Sequence, residues 1–174
     1  MDQIKRYIRS VPDFPKPGIN FYDITTLFQS PDGFNKALDG MEAYVRSRKA
    51  DKIVAIEARG FILGAALADR LKIGLVPARK PGKLPWRTIT EEYSLEYGTD
   101  RLQMHADAIS EGERVVIVDD LIATGGTITA ACKLVEKLGG EVVGVSAVIA
   151  LPFLPFKQRL AGYDLHYLIS FDSE

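Results

Sequence analysis

Sulfur and imidazole are nearly absent from this chain of 174 residues, which has one cysteine, Cys132, and two histidines. A single cysteine excludes an intrachain disulfide and fits a reducing compartment. Its helical setting between Ala131 and Leu134, with no neighbouring His or Arg to activate a thiolate, marks it as a small core residue. Two histidines far apart in sequence exclude a zinc cluster of the usual Cys/His spacing. A basic excess is missing too: 22 Lys and Arg against 23 Asp and Glu give a net charge of −1, so no large nucleic-acid footprint is expected. The start, Met1-Asp2-Gln3-Ile4-Lys5-Arg6-Tyr7, carries no apolar signal core. The longest mostly apolar run, Val142 to Leu151, is too short for a membrane span. No lysine follows the Gly-Gly turn as a nucleotide P-loop requires, and no G-x-G-x-x-G occurs. These absences leave a soluble, cytoplasmic protein. With 47% hydrophobic and 26% charged residues, and no repeats, linkers or low-complexity tracts, residues 1–174 read as one domain with a substantial core.

One stretch joins a strand, an acid pair and a glycine turn. Val115-Val116-Ile117-Val118 is apolar and β-branched, the mark of a parallel strand buried on both faces. Asp119 and Asp120 follow where that strand should end. Then come Ala123-Thr124-Gly125-Gly126-Thr127 and a helical spacing at Ile128, Ala131, Cys132, Val135 and Leu138. Ligands of open α/β sheets bind at the carboxyl ends of strands. A Gly-Gly turn at a helix N-terminus aims backbone N–H groups into one concavity, threonine hydroxyls add donors, and a monoester phosphate is the natural guest. Adjacent carboxylates accept hydrogen bonds from vicinal hydroxyls, and they also suit a magnesium ion approached through water. Phosphate plus vicinal diol describes a sugar phosphate. Taken singly, an Asp-Asp or a Gly-Gly reads as an ordinary turn; the joined string points to a ligand.

Other strands should end on the same rim. Lys52 to Glu57 is the first core strand, turning through Ala58-Arg59-Gly60 into a helix running to about Leu71, with Gly60 and Gly64 letting it sit close to the sheet. Gly74 to Ala78 is the second, closing on Arg79-Lys80-Pro81-Gly82-Lys83-Leu84-Pro85. Arg59, Arg79, Lys80 and Lys83 read either as solvated turn residues or, on one rim, as counter-charge for a polyanion. Thr88 to Asp107 alternates as a β-hairpin with Gly98-Thr99-Asp100 as its turn, and its polarity predicts a projecting, mobile lid. Ser30 is an N-cap with Pro31 in the first helical position, and Phe34, Ala37, Leu38, Met41, Tyr44 and Val45 form one apolar face. Gly139-Gly140 caps the later helix. Val142 to Leu151 is a buried strand, Pro152 to Leu160 a short helical stretch, and Leu165 to Phe171 an edge strand. At the amino end, Ile4, Tyr7, Ile8 and Val11 are spaced for a short helix stopped before Pro12. Pro12 to Gly18 is too rich in proline for regular structure, and Ile19 to Thr25 is extended. On pattern alone this segment is a surface connector.

The string from Val115 to Thr127 resembles the phosphoribosyl-diphosphate-binding motif of the type I phosphoribosyltransferases. Phe14-Pro15-Lys16-Pro17-Gly18-Ile19-Asn20-Phe21-Tyr22-Asp23-Ile24-Thr25 resembles the amino-terminal signature of the adenine phosphoribosyltransferases within that family. Glu57-Ala58-Arg59-Gly60 matches the family's pyrophosphate loop, and Tyr93-Ser94-Leu95-Glu96-Tyr97-Gly98 its flexible-loop motif. The four motifs appear in the family's order and span nearly the whole chain.

The resemblance implies a doubly wound α/β fold with a mainly parallel sheet of about five strands and flanking helices. Residues 1–33 would form a small hood with the base-binding loop, 34–174 the core, and 84–107 a flexible hairpin lid. It implies transfer of phosphoribosyl from phosphoribosyl diphosphate to N9 of adenine, giving AMP and diphosphate with Mg2+, in a homodimer. Asp119 and Asp120 would hold the ribose, with magnesium near them, and Ala123, Thr124, Gly125, Gly126 and Thr127 the 5-phosphate. Glu57, Ala58 and Arg59 would meet the diphosphate, often across a cis peptide in this family, together with Arg79, Lys80 and Lys83. Glu96 is the candidate acid/base and Arg59 supplies catalytic charge, with Tyr97 beside Glu96 among the substrate-binding positions; Glu96 read without the family is an exposed hairpin residue. Adenine would be read through backbone groups at Asn20 and Tyr22, with Phe21 close by. The family mostly has an aliphatic residue at position 20 and often Arg or Lys at 22, so these two side chains bear on base choice. The alternatives are an oxopurine acceptor, for which Lys16, Asn20 and Tyr22 offer the only side chains, and a non-catalytic sensor of phosphoribosyl diphosphate, which would need an output surface.

Overall fold

The computed structural model describes residues 2–94 and 98–172. The chain opens with α1 (Asp2–Lys5), β1 (Arg9–Val11), β2 (Phe21–Asp23), α2 (Thr25–Gln29) and α3 (Pro31–Ser47). There follow β3 (Lys52–Ile56), α4 (Arg59–Leu71), β4 (Gly74–Ala78) and a hairpin of β5 (Thr88–Ser94) and β6 (Thr99–His105). The last part is β7 (Arg114–Ile122), α5 (Gly126–Lys137), β8 (Glu141–Ala150), α6 (Phe156–Arg159) and β9 (Leu165–Ser170). The central sheet has five strands in the order β4-β3-β7-β8-β9, and its registers are all parallel.

Side-chain alternation divides the core into two layers. Val54 and Ile56 of β3 with Val115 and Ile117 of β7 face α5, α6 and the hairpin, whereas Ile53, Ala55, Val116 and Val118 face the layer of α3 and α4. A strand buried on both faces has no polar side to show, which is why these runs are uninterrupted Val, Ile and Ala. The chain leaves β3 through α4 to reach β4 on one side and leaves β7 through α5 to reach β8 on the other. Between the neighbours β3 and β7 the winding therefore reverses, and loops that follow such strands open a crevice at the rim. Helix α4 lies against this seam. A Cβ on Gly64 would come 2.5 Å from the Ala55 Cβ, and one on Gly60 would stand 3.0 Å from both the Asp119 carboxylate and the Val118 carbonyl.

Several elements differ from their expected bounds. The amino-terminal helix stops at Lys5, because Arg9–Val11 pairs antiparallel with Phe21–Asp23 and that pairing overrides the helical spacing. Thr25 begins α2 instead of ending an extended run; the Asp23 carboxylate accepts from the Thr25 N–H at 2.9 Å and its hydroxyl at 2.6 Å, which starts the turn. Strand β7 runs through the acid pair to Ile122, since β8 pairs with it as far as Ala150 while β3 stops at Val118. In the hairpin, Thr99 and Asp100 are strand residues opposite Ser94 and Tyr93, not turn residues. The Ser30 cap is as expected, its hydroxyl accepting from the Gly33 N–H at 3.2 Å. The sheet's five parallel strands are also as expected.

Gly64→Val should destabilise the fold by about 2–3 kcal/mol, because the Ala55 Cβ, fixed directly to the β3 backbone, cannot yield to a branched side chain. Gly162→Ala, where an added Cβ meets nothing within 4 Å, should change stability by less than about 0.5 kcal/mol. Denaturant midpoints of the two variants check the pair.

Candidate functional site

The turn after β7 is built around Gly125. Its φ of +80° and its position against Leu160 and Phe156, 3.2–3.3 Å from where a Cβ would be, both demand glycine. Its carbonyl accepts from the Thr129 N–H and hydroxyl, each at 2.9 Å, which anchors the first turn of α5. Ala123, Thr124, Gly125, Gly126 and Thr127 then wrap a small concavity of about 80 Å³ with Asp119 on its wall. Backbone N–H groups at the start of a helix of twelve residues face this pocket's side of the turn, so an anion is the fitting guest.

The acid pair stands beside it. Asp119 and Asp120 are adjacent on β7, so their side chains leave opposite faces of the strand. The Asp120 N–H donates to Asp119 Oδ1 at 2.8 Å, and the buried Asp120 carboxylate receives Arg59 Nε at 2.7 Å. Burial, and then the negative charge of Asp120, push the Asp119 carboxyl well above the ordinary carboxylate range. Arg59 begins α4, directly after a cis peptide between Glu57 and Ala58.

The cations of the loop after β4 are gathered by carboxylates. Glu57 receives Arg79 Nη2 at 2.9 Å on one oxygen and the Lys80 backbone N–H at 2.8 Å on the other. Burial alone would raise the Glu57 carboxyl, but the hydrogen bonds from Arg79 and Lys80 outweigh it and hold it below its usual range. Arg79 also reaches the Lys83 carbonyl at 3.1 Å, while Lys83 itself is exposed. The Lys80 ammonium donates to the Tyr93 hydroxyl at 2.7 Å and pairs with Asp100, both on the hairpin. Arg79 and Gln103 exchange backbone hydrogen bonds at 2.9 and 2.7 Å, so the cation loop is zipped to β6. The stem of the hairpin is thus no free projection: Tyr93, Leu102 and Met104 belong to the core, and Glu91 pairs with Lys133 and Lys137 of α5.

The hood meets this rim through Phe21, whose ring lies 5.6 Å from the Arg59 guanidinium and 5.2 Å, edge to face, from Phe14. Asn20 accepts the Ser10 hydroxyl at 2.6 Å on its side-chain carbonyl. The ring of Tyr22 stacks on Phe171 with centroids 3.8 Å apart and is buried. Arg59, Asp119, Asp120, Glu57 and the loop 123–127 are therefore brought together, with Phe21, Arg79 and Lys80 linked to them by direct contact. Glu96 and Tyr97 lie outside the described residues.

Asp100, Tyr93 and Gln103 are site neighbours that sequence reasoning missed. Placing the hairpin turn at 98–100 hid the fact that Asp100 faces Tyr93 across the ladder. A turn placed earlier, with Thr99 already in the strand, exposes the pair.

The phosphoribosyl transferase domain family matches residues 24–160. An adenine phosphoribosyltransferase from Solibacter usitatus is 55% identical over 172 residues, covering 99% of each chain. Another, from Thermotoga maritima, is 54% identical over 166 residues, which are 95% of this chain and 96% of that one. Among solved structures, the adenine phosphoribosyltransferase of Thermoanaerobacter pseudethanolicus superposes with a TM-score of 0.95 at 54% identity, covering 98% of this chain and 99% of that one. The Saccharomyces cerevisiae enzyme, crystallised with D-2,5-dideoxy-2,5-imino-altritol 1,6-bisphosphate and adenine, gives 0.92 at 37% identity over 97% of each chain.

The raised Asp119 carboxyl has a consequence for stability. A carboxyl that holds its proton more tightly when folded contributes fully below the ordinary value of 3.8 and loses that contribution as pH rises through the folded value. Asp119→Asn removes the loss. Without magnesium, its melting temperature should exceed the wild type's by about 2–4 °C at neutral pH. The gain should vanish toward about pH 3.5, where both forms carry a neutral side chain. Thermal melts across that range decide it, and an advantage independent of pH would show that the carboxyl is solvated.

Proposed function

The chain belongs to the adenine phosphoribosyltransferases, and we propose that the rim built by β3, β4 and β7 is where it converts adenine and phosphoribosyl diphosphate to AMP and diphosphate. One observation carries the assignment of the rim: Arg59 touches Asp120 at 2.7 Å and faces Phe21 at 5.6 Å, so acid pair and hood converge on one side chain.

The chemistry follows from that convergence. The loop 123–127 holds the 5-phosphate through backbone N–H groups, and the Asp119–Asp120 pair accepts from the ribose hydroxyls. As the C1–O bond to diphosphate breaks, oxocarbenium character develops on the ribose, where nearby carboxylates stabilise it. Negative charge collects on the departing diphosphate, within reach of Arg59, Arg79, Lys80 and Lys83, and adenine N9 closes the vacated bond. Among the described residues there is no cluster of three or more metal-ligating side chains. A magnesium ion would be held mainly by substrate phosphates, with Asp119 and Asp120 offering hard oxygen donors, and it would supply neutralising charge to the diphosphate. Glu96 is assigned the acid/base role at the base's imidazole nitrogens.

The hood favours backbone reading of adenine. Asn20's carbonyl accepts from Ser10 and the Tyr22 ring stacks on Phe171, so both side chains already have partners within the protein. Strand β2 carries a strand on one side only, and an edge peptide offers the C=O and N–H that complement adenine's amino group and ring nitrogen. A homodimer is supported by apolar side chains left exposed beside the cations: Ile62 on α4, Leu75 on the edge strand β4, and Trp86, 64% exposed, after the cation loop. No described helix is long and apolar enough to cross a membrane, and a cytoplasmic setting is supported by the lone, buried cysteine.

Turnover with phosphoribosyl diphosphate and magnesium should be seen with adenine and not with hypoxanthine, guanine, xanthine or orotate; a good rate with an oxopurine would overturn the hood reading. Glu96→Ala should lower kcat by about a hundredfold while changing adenine binding little, as loss of a general acid/base does. An unchanged kcat would remove Glu96 from the chemistry.

A further inference from the structure

Three rim cations each face a carboxylate: Arg59 faces Asp120, Arg79 faces Glu57 and Lys80 faces Asp100. Asp120 and Glu57 belong to the sheet strands and turns that form the substrate rim. Asp100 does not. It comes from β6 of the hairpin, opposite Tyr93, whose hydroxyl donates to it at 3.2 Å and receives Lys80 Nζ at 2.7 Å. Two of the ammonium's three donors are thereby occupied, and one is left for a ligand oxygen. The pair is partly open to solvent, Lys80 being 40% and Asp100 32% exposed.

We propose that Asp100 is the counter-ion of the diphosphate site: a positioning residue that holds Lys80 at the rim with Tyr93 and, by its charge, weakens the hold of the site on diphosphate so that the product departs. This rests on the reading of the rim as a phosphoribosyltransferase site. Two effects of the carboxylate are separable. Hydrogen bonding places the ammonium, and an amide carbonyl with the Tyr93 hydroxyl suffices for that. Charge competes with the polyanion, and only a carboxylate supplies it. A residue that merely braced the hairpin would give the opposite sign, because its loss would loosen Lys80 and weaken anion binding.

The test is titration of the full-length protein with inorganic diphosphate in magnesium buffer, alongside turnover with adenine. For Asp100→Asn the diphosphate Kd should fall about three- to tenfold at low salt, the Coulomb effect of one partly screened charge. The KM for phosphoribosyl diphosphate should fall with it, while the KM for adenine stays unchanged. The difference should shrink toward 1 M salt, where the screening length is about 3 Å. Asp100→Glu, which keeps the charge, should stay near wild type. Asp100→Ser, smaller but equally neutral, should move as Asn does and serves if the amide variant folds poorly. An active wild type whose neutral variants bind diphosphate equally or more weakly overturns the counter-ion role alone. A wild type that neither binds diphosphate nor makes AMP overturns the reading of the rim, and this role with it.

Discussion

The reversal of winding between β3 and β7 is the constraint on which the rim depends. Two parallel neighbours whose following helices pass to opposite sides leave their carboxyl ends uncovered. At that gap Ala55 stands opposite Val118, so the next residues of each strand, Glu57 to Arg59 on one and Asp119 and Asp120 on the other, are side by side without any long-range search by their side chains. Helix α4 then has to pass close over the seam. Gly60 and Gly64 are the residues that permit it, and the bond between Arg59 and Asp120 follows from the height at which the helix starts.

What the sequence disclosed tracks the range of the interactions involved. Val115–Val118 is a strand in any context, and Gly125 with Gly126 is a turn into a helix, because burial on both faces and a positive φ act locally. The cap at Ser30 is equally local. Arg9–Val11 was illegible for the opposite reason. Its spacing favours a helix, and only its antiparallel partner ten to fourteen positions away makes it a strand. The acid pair was placed at a strand end when it lies inside β7, because the length of β7 is set by β8 and not by its own residues. In the hairpin a turn at 98–100 hides Asp100, which the ladder places opposite Tyr93, because register is set by the pairing of the two strands and not by the turn residues alone. The site residues themselves were named from motifs, but their mutual pairing could not be. Which carboxylate takes which cation depends on strand order.

Those pairings give the rim a definite electrostatic state. Cations gathered on one rim repel one another, and a matching set of carboxylates offsets that repulsion. The opposite imbalance survives at Asp119, whose neighbour's charge is only partly answered by Arg59, and it fits a residue placed for a ligand rather than for the fold.

Arg59 joins these strands of reasoning. It starts the helix that crosses the seam, it neutralises the buried Asp120, and its guanidinium lies under Phe21 of the hood. A guanidinium can do all three because it is planar, presents several donors in its plane and leaves its face for an aromatic ring. A lysine in this position would keep the charge and lose the face. The hood and the acid pair are thus registered to each other through one side chain, and a change at Arg59 reaches both at once.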